Sequence, residues 1–150
     1  MSESLAARDA FVLGAVDPAG RAVAVALAEA GATVSVTTAS HADDEVFFAN
    51  SVLNEAWSMG RAGAAFSTDG NDLDEILAAL RMAREPLLVA MPGVSEMAWP
   101  GELATETAAT LVVIRMAADG FVVSLLEEAG ETIAGAENLG TTVVRLLSDA

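Results

Sequence analysis

Two hydrophobic patterns alternate along this chain. Short continuous apolar runs rich in β-branched residues, such as "AFVLG" and "TVSVTT", are each followed by a longer segment with apolar positions every three or four residues. The continuous runs read as strands covered on both faces, and the periodic segments as amphipathic helices. The pattern predicts strand Ala10–Gly14, helix Pro18–Ala30, strand Thr33–Thr38, helix Asp43–Met59 and strand Ala64–Thr68. It continues with helix Asn71–Arg84, strand Pro86–Met91, helix Glu102–Ala117, strand Phe121–Leu126 and helix Glu131–Leu147. Gly31, Gly63 and Gly120 each fall just past a predicted helix, where a residue with positive φ closes the last turn. Five strand–helix units in strict alternation imply an α/β protein with a doubly wound parallel sheet and helices on both faces. No linker or repeat divides residues 1–150, so one domain is expected.

Composition narrows the chemistry. Hydrophobic residues make up 53% of the chain and aromatics 5%, so the core must be built from Ala, Val and Leu. Seven basic residues stand against 22 acidic ones, a formal net charge of −15, and every basic residue is Arg. Such a surface offers no positive patch to nucleic acid or to an anionic membrane. It also repels an anionic cofactor unless Arg is placed locally; solubility is the simplest account of the charge. The absence of Cys excludes disulfides, thiolate nucleophiles and Cys-ligated metals. The opening "MSESLAARDA" lacks the pattern of a signal peptide, and no apolar run reaches membrane-spanning length, so a cytoplasmic protein is expected. His41 is the one His, and Asp43, Asp44 and Glu45 beside it read as the start of a helix rather than as a metal site. Ser40, Ser95 and Ser124 lack a G-x-S-x-G elbow.

The segment "LGAVDPAGRAVAVALAEAGATVSV" resembles the opening of the short-chain dehydrogenase/reductases, whose turn reads Thr-Gly-x-x-x-Gly-x-Gly. On that likeness Leu13 stands at the Thr, Gly14 at the first Gly, Pro18 at the second and Gly20 at the third. "FSTDGNDLDEILAAL" looks like the family's third strand, with Asp69 at the position near the adenine. "PLLVAMPGVS" is similar to the fourth strand and its Asn-Asn-Ala-Gly motif, here Ala90, Met91, Pro92 and Gly93. "MAADGFVVSLL" looks like the fifth strand. The likeness spans roughly residues 10 to 126 and implies a Rossmann-like sheet of about five strands in the order 3-2-1-4-5. It also implies that the chain ends about where the family's catalytic helix sits. NAD(P) is the cofactor the resemblance implies, and Gly14, Asp17, Gly20, Arg21, Asp69 and Gly93 are its candidate binding positions. The family's hydride transfer uses a Tyr whose pKa a nearby Lys lowers, and a phenol that ordinarily titrates near 10 needs such a cation at neutral pH. This chain has neither Tyr nor Lys. No catalytic residue is therefore assigned.

The turn itself departs from the family. A helix N-terminus binds pyrophosphate through free N–H groups and its dipole. Pro18 removes one of those N–H groups and suits the first helical position, while Asp17 suits the N-cap and brings its own anion. Either the turn is a structural cap or it still holds a nucleotide. Thr37 and Thr38 stand where an acid would hold the ribose hydroxyls. Arg21, one turn into the helix, is a phosphate ligand or a solvent-exposed charge. Met97 and Trp99 fall in a loop at the carboxyl end of the sheet, where open α/β folds bind ligands, or else Trp99 covers the core. "FVVSLL" as a fifth, edge strand and the broad apolar surface of helix Glu131–Leu147 imply association. The resemblance places an oligomer interface on segments Glu102–Ala117 and Glu131–Leu147. The expectation is a non-catalytic accessory or structural subunit, a homo-oligomer or a partner of a full-length relative. A nucleotide-binding protein using the glycine turn is the alternative.

Overall fold

A computed structural model describes residues 4–15, 17–39, 42–67, 72–125, 130–133 and 135–149. Asp69, His41, Ser40 and the predicted element ends Thr68, Asn71 and Leu126 lie outside that set. The first half follows the predicted alternation. Strand β1 (Asp9–Leu13) leads to α1 (Pro18–Glu29), β2 (Thr33–Thr38), α2 (Asp43–Ser58), β3 (Ala62–Ser67), α3 (Asp72–Arg81) and β4 (Leu87–Ala90). A short 3₁₀ turn, Val94–Glu96, precedes α4 (Trp99–Thr107). The chain then runs through β5 (Thr110–Ala117), β6 (Gly120–Leu125), β7 (Glu131–Ile133), a 3₁₀ turn at Ala136–Asn138 and α5 (Leu139–Asp149). The sheet has seven strands in the order β3-β2-β1-β4-β5-β6-β7. The α/β doubly wound class stands, with two more strands than the sequence pattern implies.

Both added strands come from segments read as helix. The Ala- and Glu-rich stretch from Glu102 hides a boundary at Ala108, which caps α4 in the left-handed region at φ +57°. Beyond it the β-branched run Thr110–Ile114 pairs in parallel with β4, Leu88 against Leu111 and Val89 against Val112. The predicted fifth strand is real but is sixth in order and antiparallel: β6 folds back on β5 through a tight hairpin joining Ala117 to Gly120. β7 then adds antiparallel to β6, Val123 against Glu131. The described part of that segment, Phe121–Leu125, therefore lies in an interior strand, and the edge argument for association does not apply to it. The final helix begins at Leu139; within its predicted span Glu131–Ile133 form β7 and Ala136–Asn138 a 3₁₀ turn. Gly63 lies inside β3; the residue with positive φ after α2 is Gly60, at +72°.

Alternation along the central strands sorts two cores. Ala10 and Val12 of β1, Leu87 and Val89 of β4, and Val112 and Ile114 of β5 face α1, α2 and α5. Phe11 and Leu13, Leu88 and Ala90, and Leu111 and Val113 face α3 and α4. Side chains of period two therefore supply both layers, as a sheet covered on both faces requires. α5 packs on α1 so closely that a Cβ on Gly140 would stand 2.6 Å from the Ala26 Cβ. Its apolar face is used within the chain, so it does not call for an outside surface. At the amino end of the sheet, Asp9 accepts from the Arg84 backbone N–H (2.8 Å) and guanidinium (2.9 Å), and this pairing raises the Arg84 pKa.

Candidate functional site: the cleft at the carboxyl ends of β1 and β4

The strand order reverses between β1 and β4, and their outgoing loops diverge to leave a cleft, the usual ligand position in open α/β sheets. The cleft holds about 270 Å³ and is lined by residues that include Gly14, Asp17, Thr37, Gly93, Val94 and Met97. Gly14 forms its floor. Its φ of +85° belongs to glycine, and its N–H donates to Thr37 Oγ1 at 2.9 Å, tying the β1 turn to the end of β2. A Cβ there would meet Val94 Cγ2 at 2.8 Å.

Asp17 is extended (φ −141°, ψ 172°) and its Oδ1 accepts from the Gly20 N–H at 2.8 Å, with Pro18 at the start of α1. The side chain fills the position an anion would take at this helix end, and it brings a negative charge to the cleft. Gly20 faces the other way. A Cβ on it would lie 2.6 Å from Ala15 Cα, so its bare backbone lets α1 approach the turn. Arg21 is turned toward α2, where it donates to Ser51 Oγ at 2.9 Å and pairs with Glu55. Gly93 lines the cleft at φ +93° with open space around its missing Cβ. Of the candidate positions, the structure brings Gly14, Asp17 and Gly93 to the cleft; Gly20 supports it from behind and Arg21 serves a helix–helix contact.

Two lining residues, Val94 and Ala39, escaped the sequence reading. Val94 fills the space above Gly14 because the 3₁₀ turn after β4 swings it inward. Ala39 also lines the cleft, and its N–H donates to Glu45 Oε1 at 2.9 Å, which adds a second carboxylate near the entrance. No periodicity marks these residues, because their placement depends on loop paths. Trp99 is half-buried against the α3–α4 core, and its Nε1–H lies 3.2 Å from the Met97 sulfur, so it anchors the loop rather than standing free. Among the described residues no group of three or more His, Asp or Glu side chains is placed to hold a metal ion. No helix among them is long and apolar enough to cross a membrane.

No family profile matches the chain, and no curated protein does. Solved structures do. Escherichia coli MccB crystallised with succinimide superposes with TM-score 0.65 at 12% identity, over 99% of this chain and 58% of its own. A short-chain type dehydrogenase/reductase from Mycobacterium marinum gives 0.52 at 19% identity, over 95% of this chain and 67% of its own. The fold is Rossmann-like. A short-chain alcohol dehydrogenase from Sinorhizobium meliloti shares 32% identity over 59% of this chain, with TM-score 0.45. The chain spans only about a third of that protein's length, 35%.

Proposed function

We propose that this chain is a non-catalytic Rossmann-like domain of short-chain dehydrogenase/reductase descent, acting as an oligomerising or accessory subunit in the cytoplasm. The observation that carries the reading is the absence of both Tyr and Lys from the whole sequence, which removes the family's proton-transfer pair. The cleft supports it. Asp17 occupies the helix end where pyrophosphate would sit, Arg21 is engaged by Glu55, and no Arg lines the space. Its 270 Å³ falls just below the roughly 300–1,000 Å³ of ordinary small-molecule sites. These residues fit a dinucleotide poorly.

The second reading is a protein that binds NAD(P) or another nucleotide through the surviving turn, with Gly14, Asp17, Gly20, Arg21, Asp69 and Gly93 as its positions. Gly14 and Gly20 favour it, since each keeps the close approach a nucleotide-binding turn uses. Thermal unfolding with and without NAD⁺, NADH, NADP⁺ and NADPH separates the two. A ligand held at about a hundred times its Kd adds about 2.7 kcal/mol to the native state. For a chain of this size that is a rise on the order of 5–10 °C in Tm. The first reading expects no rise with any of the four; a rise with one would establish the second.

A further inference from the structure

The seven Arg of this chain are unevenly placed. Arg8, Arg61 and Arg84 lie far apart in sequence, yet each stands just ahead of a parallel strand: β1, β3 and β4. Parallel strands begin at one end of the sheet, so three of the seven cations gather there, opposite the cleft. The loops leading into β1, β2, β3 and β4 enclose a cavity of about 320 Å³ at this end, lined by residues that include Gly31, Thr33, Gly60, Arg61 and Arg84. Arg8 stands at its border, where its Nε–H donates to the Glu85 carbonyl at 3.3 Å.

These side chains are held with donors to spare. Asp9 Oδ1 accepts from Arg84 Nη2 at 2.9 Å, and Thr33 Oγ1 lies 3.5 Å from the same nitrogen, so the guanidinium is oriented while its Nη1 meets no described residue. Arg61 is half-buried with its Nε inside the protein. Arg8 forms no ion pair with a described residue. Gly60 keeps the space open, since nothing lies within 4 Å of where its Cβ would stand. Backbone strain collects here too. Of the three non-glycine residues at positive φ among those described, Ala7 (+62°) lines the cavity and Glu85 (+42°) adjoins Arg84. Such conformations persist where the surrounding structure enforces them, and they concentrate at ligand sites.

We propose that this cavity binds the phosphoryl group of a small molecule, either free phosphate or a small hydroxylated phosphate ester. The inference goes beyond the reading above and does not depend on it. On a chain of net charge −15 an anion is held only where Arg is concentrated, and the amino end of the sheet is such a place. Separate loops supply the donors: the guanidiniums of Arg61 and Arg84 and the hydroxyl of Thr33. A tetrahedral dianion accepts from several directions at once, whereas a carboxylate is matched by one guanidinium fork. The cavity falls within the roughly 300–1,000 Å³ of small-molecule sites, so it leaves room for a short polar body beside the phosphoryl group. The carbonyl ends of α1 and α2 also face this end, and Arg beside them offsets their partial negative charge. That role requires neither an open cavity nor an Arg from the loop before β1.

Two-dimensional proton–nitrogen NMR of the full chain tests this, with inorganic phosphate or glycerol phosphate titrated near neutral pH and sodium chloride holding the ionic strength constant. Arg61→Gln and Arg84→Gln are compared with Arg115→Gln, a charge-matched control near the opposite end of the sheet, and far-UV circular dichroism checks that each variant folds. The expected result is saturable shifts at Gly31, Gly60 and Arg61 that Arg115→Gln preserves. Arg61→Gln and Arg84→Gln each weaken binding by about tenfold or more, the loss of one charge-assisted hydrogen bond. Tighter binding of the ester identifies an organic phosphate as the ligand, and equal binding identifies phosphate itself; both uphold the site. Shifts that grow without saturating, or that are the same in all three variants, overturn it and leave these Arg as helix-end charges. Saturable shifts centred on Gly14 and Gly20 overturn it in favour of an anion at the first turn.

Discussion

Gly20 and Asp17 carry the local logic of the first turn. Gly20 sits early in α1, where Ala would improve helix propensity by about 1 kcal/mol. Its Cβ would meet the Ala15 Cα at 2.6 Å, and a backbone atom cannot rotate aside. Overpacking of this kind costs about 1–3 kcal/mol and wins over the propensity gain. Gly20→Ala therefore destabilises the protein, seen as a lower urea midpoint with an unchanged m-value. The capping role of Asp17 was legible from Asp-Pro ahead of an apolar-periodic run, and so was the need for glycine at Gly14 and Gly20. The partners of Arg21 were not legible. Whether a cation one turn into a helix meets a phosphate or a neighbouring helix depends on where Glu55, 34 residues later, is brought. Val94 above Gly14 was hidden for the same reason.

Elements differ in how strongly their own residues declare them. β1, α1 and β2 matched their predicted bounds to within a residue, because each has one pattern bounded by Gly, Pro or Asp. The α4–β5 junction lacks such punctuation: Ala108 and Ala109 join a helix-forming run to a β-branched one, and the turn falls on an alanine. Left-handed backbone costs a non-glycine residue on the order of 1–3 kcal/mol, whereas glycine pays about 0.5–1 kcal/mol in unfolded-state freedom. Ala108 is exposed, so nothing else changes on its replacement. Ala108→Gly is expected to stabilise the protein by about 1 kcal/mol, read as a higher Tm; a fall would show that the left-handed turn is not the state of α4 in solution. The direction of β6 belongs to this scale as well. Its apolar run suits either orientation, and the two-residue connection from β5 is what makes it antiparallel.

Charge acts on the molecule as a whole. With 22 acidic and seven basic residues, carboxylates outnumber cations by about three to one, and the compact state is opposed by its own repulsion. The four ion pairs described join exposed or half-exposed side chains and contribute little each. Sodium chloride raised from low ionic strength to about 0.15 M, where the Debye length is about 8 Å, should therefore raise Tm. A constant Tm would mean that repulsion does not limit stability. By itself the sequence determined the α/β class, the order of the first seven elements, the apolar faces of the sheet and the absence of Tyr and Lys. These follow from local periodicity, turn chemistry and residue counts, which need no knowledge of distant contacts. Tertiary structure alone decided the antiparallel β6–β7 extension, the diversion of Arg21 and the closing of the cleft by Val94. It also decided that β3 and β7, not β6, are the terminal strands of the sheet. Each depends on which segments meet across the sheet, and pairing at long range is set by packing rather than by the residues of either segment alone.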